Sequence, residues 1–377
     1  MAVTFMTGFE AQAASADGIT SLNGTAAYST AQARTGVASI RCNPASGVTG
    51  YINASTATGW YHAAVYIATM PSVARYILGT NIREAVRLNT DGTLSYKDGN
   101  GAIVGTSATA LTTNAWYWVG WRGPIGTTVP CLQINGVTEV TGSPAGATAT
   151  AFFAGCLGTE ASGIDIYIDD IIVDGAGFLA PSKVDIALPI SDNTRTAVTA
   201  GAGGTTDLWD AVNNTPPAGL ASASETNTSN IEYPASATES YIANLETYTT
   251  LGVASGDTVL AVQSVIRHGE DIATGTKNGV LGAVTNPTIS DSLSFVFGTD
   301  GGAHGADSGG ALWVTKFGTL TTSPSVTVGT SPTLAVTRVS EIRVGCVDFM
   351  GLLVAWTPGT AATRVPYYQP YPQLLAQ

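Results

Sequence analysis

Apolar and polar residues alternate along this chain in short runs, cut every ten or so residues by Gly, Asn, Asp, Pro and Ser. Helical periodicity is nearly absent, so the pattern predicts an all-β chain of the sandwich or jelly-roll type. Over 60–67, Tyr61, Ala63, Val65 and Ile67 share one face, and Trp60, His62, Ala64 and Tyr66 share the other. The run 84–88 enters the turn Asn89-Thr-Asp-Gly92 and 93–96 returns, as a hairpin should. Asp98-Gly-Asn-Gly101 marks the next turn, and 131–137 runs into Asn135-Gly136. Trp116-Tyr-Trp-Val-Gly-Trp121 carries bulky groups on both faces, which predicts a central strand buried on one face and covered or concave on the other.

The segment 164–174 changes phase. Ile164, Ile166 and Ile168 alternate with Asp165, Tyr167 and Asp169, but after Asp169-Asp170 the apolar Ile171 and Val173 fall on the opposite parity. A one-residue phase change within a strand predicts a β-bulge. Asp174 to Ser182 then breaks the pattern and sets an expected domain boundary: 1–177, a second β-sandwich over 178–363, and a Pro/Tyr-rich tail over 364–377. The second half opens on a looser polar stretch, 192–229. One short helix is a candidate, with Ser236 and Glu239 as a capping box before Tyr241, Leu245 and Tyr248. Strands are expected at 258–267, 293–297, 311–316, 325–328, 333–339, 342–346 and 349–356. The tail has two readings, a docking segment anchored by Tyr367, Tyr368 and Tyr371, or a polyproline-like strap packed back on its own domain.

Composition narrows the function. Of 377 residues only 11% are charged and three are histidine, so few groups exist from which a catalytic pocket could be assembled, and no enzymatic activity is expected. The net charge of −12 and the scatter of 15 Lys and Arg argue against a nucleic-acid surface. No apolar stretch reaches the ~18 residues a membrane helix needs, and the first residues lack the pattern of a signal peptide, so neither membrane insertion nor export is expected. Cys42, Cys131, Cys156 and Cys346 form no CxxC pair and read as buried thiols, with a Cys131–Cys156 bridge left open. The large aromatics Trp116, Trp118 and Trp121 are expected in the first core, and Trp209 and Trp356 in the second.

Three constellations could carry chemistry. Gly305-Ala-Asp-Ser-Gly-Gly310 looks like a serine-protease nucleophile loop, but His62, His268 and His304 offer no matching partner, and an ordinary Gly/Asp loop is the simpler reading. Asp300, His304 and Asp307 also suggest an oxygen-rich loop without regular calcium spacing. Asp165, Asp169, Asp170 and Asp174 allow a solvated strand edge, a calcium site with Asp169 and Asp170 as ligands, or a glycosidase-like carboxylate pair. Otherwise no cofactor is indicated.

The first half resembles the concanavalin A-like (laminin-G-like) jelly rolls, through Gly8-Phe9-Glu10, Val86-Arg-Leu-Asn-Thr-Asp-Gly-Thr-Leu, Trp116-Tyr-Trp-Val and the closing Tyr167-Ile-Asp-Asp-Ile. The second half resembles β-rich modules of tailed-phage virion proteins, through Asp207-Leu-Trp-Asp-Ala-Val-Asn-Asn, Pro216-Pro217, Asn230-Ile-Glu-Tyr233 and Gly256-Asp-Thr-Val-Leu-Ala-Val-Gln263. The resemblance implies a lectin-like sandwich on a virion, tail-associated or head-decorating, repeated as a homo-oligomer (a trimer by analogy) among other virion proteins. It also implies adhesion to a host-surface glycan. The alternative is a carbohydrate-binding or carbohydrate-active protein with a glycanase-like jelly roll.

Overall fold

The computed structural model of this chain describes residues 2–12, 17–44, 49–56, 59–81, 84–123, 129–143, 149–157, 163–196, 199–200, 231–233, 239–270, 278–286, 293–296, 314–340 and 345–359. Every regular element among them is a β-strand, and every pairing is antiparallel. The protein is all-β, built as two sandwiches, the first a jelly roll.

Sheet one runs Val137–Gly142, Val129–Ile134, Trp116–Arg122, Trp60–Thr69, Asp165–Asp174, Ser39–Cys42, Ala26–Ser29, with Val3–Thr7 also paired to Asp165–Asp174. Sheet two runs Ile103–Ala110, Thr93–Lys97, Ala85–Leu88, Arg75–Thr80, Ala151–Cys156, Gly50–Ser55, Ser21–Gly24. They close on a core that includes Tyr61, Val65, Trp121, Phe152 and Ile168. Sheet three is centred on the long strands Gly345–Thr357 and Thr258–Glu270, with Lys183–Ala187 beside the former. Sheet four runs Pro189–Thr196, Glu239–Leu245, Thr333–Ser340, Asn278–Thr285, Leu293–Val296. These two enclose Tyr241, Leu245, Val262, Val336 and Trp356.

The turn chemistry is local. Asn135 and Gly136 both take positive φ (52° and 82°), the geometry that joins Val129–Ile134 to Val137–Gly142 in a two-residue hairpin. The bulge falls at Asp169-Asp170. The register against Trp60–Thr69 shifts between Asp169 and Ile172, and Asp170 sits at φ 47°. The bulge lets both carboxylates leave the ladder in the same region.

The outer face of sheet one is covered. A separate apolar seam joins Met6, Ala64, Trp118, Ile172 and Leu179 of the first half to Leu260, Ala261, Val265, Phe349 and Leu353 of sheet three. This explains why Asp165–Asp174 is buried at nine successive positions after its first residue. It also corrects one expectation. Of the three tryptophans expected in the first core, only Trp121 is there, because Trp118 has the opposite parity and points with the half-buried Trp116 into the seam. Gly8 admits the same contact, since a Cβ there would lie 2.4 Å from the Val184 carbonyl oxygen.

Two further expectations are corrected. Glu239–Leu245 is a strand, not a helix. Tyr241, Ala243 and Leu245 are buried in alternation, and a period of two over β-favouring residues outweighs the capping pattern. Residues 325–328 form no strand, although Val326 and Val328 pack on the second core. Trp209, Ser236, Asp300, His304, the 305–310 loop and Tyr367, Tyr368 and Tyr371 lie outside the described residues.

Candidate functional site

The acidic residues of the last jelly-roll strand are the first candidates, and none is free. Asp169 and Asp170 are fully buried, which corrects the solvated-edge expectation. Asp169 Oδ2 accepts from the backbone N–H groups of Arg34 (2.7 Å) and Thr35 (3.3 Å), and Oδ1 accepts from Asp170 N–H (2.8 Å). Asp170 Oδ2 accepts from Arg34 Nη1 (2.6 Å) and Thr35 Oγ1 (3.0 Å), and Oδ1 accepts from Val184 N–H (2.6 Å). Asp165 pairs with Arg41 at 2.8 Å, and Asp174 accepts from the N–H groups of Ala2, Ala176 and Gly177. Calcium takes 6–8 oxygen ligands. Here the oxygens of Asp169 and Asp170 are spent on N–H and O–H donors, so the pair does not fit that ion. Among the described residues no group of three or more His, Cys, Asp and Glu is arranged to hold a metal. Nor does burial leave a glycosidic bond any approach to them.

These carboxylates form a polar clasp between the sandwiches. Arg34 also donates to the Ser182 carbonyl, and its guanidinium lies 5.3 Å from the Trp118 ring centroid. Trp118 stacks on His62 with centroids 5.6 Å apart and donates through Nε1 to the Leu179 carbonyl at 3.2 Å. Nearby, Glu10 is buried with Oε2 on the Val37 and Ala38 amides and Oε1 unpartnered. Burial, then the charges of Asp185 and Asp169, push the Glu10 carboxyl up to about 11, so a proton stays on it at neutral pH.

His62 has two partners that fix its tautomer, where the sequence suggested none. Nδ1 lies 3.2 Å from the Ile172 carbonyl and so carries the proton, and Nε2 accepts from Leu179 N–H at 3.0 Å. Burial lowers its pKa to about 4 from an ordinary 6.5. The unfolded chain then takes up the proton first, and His62 stabilises the fold fully above pH 6.5 and less as pH falls toward 4. Over that window the stability advantage of the wild type over His62→Gln should shrink by on the order of 3 kcal/mol, measured by denaturant unfolding. An advantage constant with pH would contradict this assignment.

A different face holds an open site. On sheet two, Ile52, Ile77, Val86, Leu94 and Phe152 point into the core, leaving their strand neighbours on the outer side. Cross-strand pairing aligns Asn53, Phe153, Gly79, Ala85 and Lys97 in one row and Tyr76, Arg87 and Ser95 in another. There Tyr51, Tyr76, Thr80, Glu84, Ala85, Lys97, Phe153 and Leu157 line a cleft of about 290 Å³. Tyr51 and Phe153 meet edge to face at 5.6 Å, and Lys97 Nζ lies 5.0 Å from the Tyr76 ring centroid. Two lining atoms, Glu84 Oε2 and Thr80 Oγ1, are buried without a hydrogen bond of ordinary geometry. Burial, then the charge of Asp98, pushes the Glu84 carboxyl up to about 8. Tyr96 donates to the Arg122 carbonyl at 2.6 Å, and its hydroxyl also lies 3.5 Å from Glu84 Oε1.

None of these lining residues was singled out from the sequence for binding. The available signal was the half-buried aromatic on the outward parity, Tyr51 beside Ile52 and Tyr76 beside Ile77. Elsewhere, Cys42, Cys131 and Cys156 are buried and outside any disulfide, without a Cys131–Cys156 bridge, and Trp356 is in the second core.

No family model and no curated protein matches this chain. Among solved structures it is similar to Cip1, a cellulose-induced protein, at 16% identity over 46% of this chain and 100% of that one, with a TM-score of 0.34. It is also similar to domain 4 of AbnA, an extracellular arabinanase of Geobacillus stearothermophilus determined with arabinotriose, at 14% identity over 46% and 93%, TM-score 0.35. A third is the receptor-binding domain of botulinum neurotoxin type G, at 10% identity over 65% and 72%, TM-score 0.35.

Proposed function

We propose that this chain is a non-catalytic adhesion protein whose jelly roll binds carbohydrate on the outer face of sheet two. The observation that carries this is the cleft itself. It joins three half-buried aromatic rings to the Lys97 ammonium, above the buried Glu84 and Thr80 side chains. Aromatic faces pack against the C–H faces of sugar rings, and a lysine ammonium beside them donates to sugar oxygens. The volume lies at the small end of ligand pockets, commonly about 300–1,000 Å³, which suits one or two sugar units with the chain extending along the face.

A pair of carboxyls across the scissile bond is the usual requirement for glycoside hydrolysis. In this cleft Glu84 is the one carboxyl among the lining residues, and Asp98 behind it holds the Asn100 and Ala102 amides of its own turn. The favoured activity is therefore retention, not turnover. A glycan array probed with the full chain, followed by product analysis on the hits, tests it. Binding without new reducing ends, weakened at least tenfold by Phe153→Ala, is the expected result. Release of reducing ends that Glu84→Gln abolishes would establish the carbohydrate-active alternative instead.

The virion setting rests on the resemblance of the second half to tailed-phage modules. It includes location on tail or capsid, partnership with other virion proteins and a repeated, trimeric arrangement. Mass spectrometry of purified particles with cryo-EM localisation tests that setting, and absence of the chain from particles would remove it.

A further inference from the structure

We infer that the carbohydrate held on sheet two is an acidic glycan, whose anionic group is met by Lys97 with Arg87 behind it. The inference rests on the carbohydrate-binding reading and specifies its ligand. The protein as a whole is acidic, with a net charge of −12 and 15 Lys and Arg in 377 residues. Against that background this face carries two cations on adjacent strands. Lys97 follows in the same row as Ala85 and Phe153, and Arg87 stands directly opposite Tyr76 and Ser95. Lys97 Nζ is positioned over the Tyr76 ring at the cleft wall and is in no salt bridge among the described residues, so the ammonium keeps N–H donors for a ligand in the cleft.

Glu84 does not neutralise this pair. It is buried at the floor of the cleft, and its pKa, raised to about 8, leaves it mostly uncharged at neutral pH. Asp98, the next carboxylate, is engaged by the Asn100 and Ala102 amides. The cleft thus presents a cationic donor beside aromatic rings, a set that suits an anionic group on a sugar better than hydroxyls alone. Carboxylate sugars and sulfated sugars share this chemistry.

The test is an array printed with uronate-, sialate- and sulfate-bearing glycans, each beside its neutral counterpart made by carboxyl reduction, desialylation or desulfation, probed with the full chain at neutral pH. We expect acidic members to bind at least tenfold better than their neutral partners, with the stronger of the carboxylate and sulfate arms identifying the group. Lys97→Gln should bring the ratio to within about twofold, and Lys97→Arg should retain most of it. Equal signals, a preference for the neutral members, or a ratio unchanged in Lys97→Gln would overturn the inference while leaving carbohydrate binding intact. Silence across every glycan on the array would overturn the carbohydrate reading itself, and this inference with it.

Discussion

Trp118→Ala should destabilise the protein by about 4 kcal/mol, within the ~3–5 kcal/mol typical of large aromatic truncations in cores. The effect should also be visible as lost coupling between the two sandwiches. Trp118 is 2% exposed, yet it does not belong to either sandwich interior. Its ring lies between the His62 imidazole and the Arg34 guanidinium, and its Nε1 ties down the Leu179 carbonyl in the connection to the second sandwich. Alanine would leave a cavity at the seam and release that connection. Calorimetry should show one cooperative transition for the wild type and two for the variant, with the jelly roll retaining its own core around Trp121. One transition at the wild-type temperature would show that the seam contributes little.

Arg34→Met should cost about 3 kcal/mol, for a different reason. Asp170 is fully buried, and the Arg34 guanidinium 2.6 Å away is its charge partner. Methionine keeps much of the packing volume over Trp118 but leaves a buried carboxylate held only by Thr35 and the Val184 amide. Removing one partner of a buried pair is far more destabilising than removing both. The double variant Arg34→Met/Asp170→Asn should therefore be more stable than Arg34→Met alone, read by denaturant unfolding as a double-mutant cycle. Strict additivity of the two single changes would contradict the pairing.

The seam and the cleft show where sequence patterning succeeds and where it runs out. Alternation located most strands of the first half, the Asn135-Gly136 hairpin and the bulge at Asp169-Asp170, because these follow from backbone periodicity and turn chemistry within a few residues. The same alternation assigns residues to two faces without saying what covers each. Trp118 and Trp121 were thus separable by parity, but the partner of the Trp118 face, more than a hundred residues further on at Leu260 and Phe349, was not. Charge misled in the same way. Asp169 and Asp170 look like surface residues until Arg34, distant in sequence, is placed on top of them. The cleft is assembled from Tyr51, Tyr76, Glu84, Lys97 and Phe153 on separate segments, so no local motif announces it.

The central claim is that the outer face of sheet two is where this protein meets its ligand. Hydrogen–deuterium exchange of the full chain, with and without its best array glycan, measures this directly. Protection should be confined to Gly50–Ser55, Arg75–Thr80, Ala85–Leu88, Thr93–Lys97 and Ala151–Cys156, the strands that carry the cleft. Protection centred on the second sandwich, with these five strands unchanged, would contradict the account.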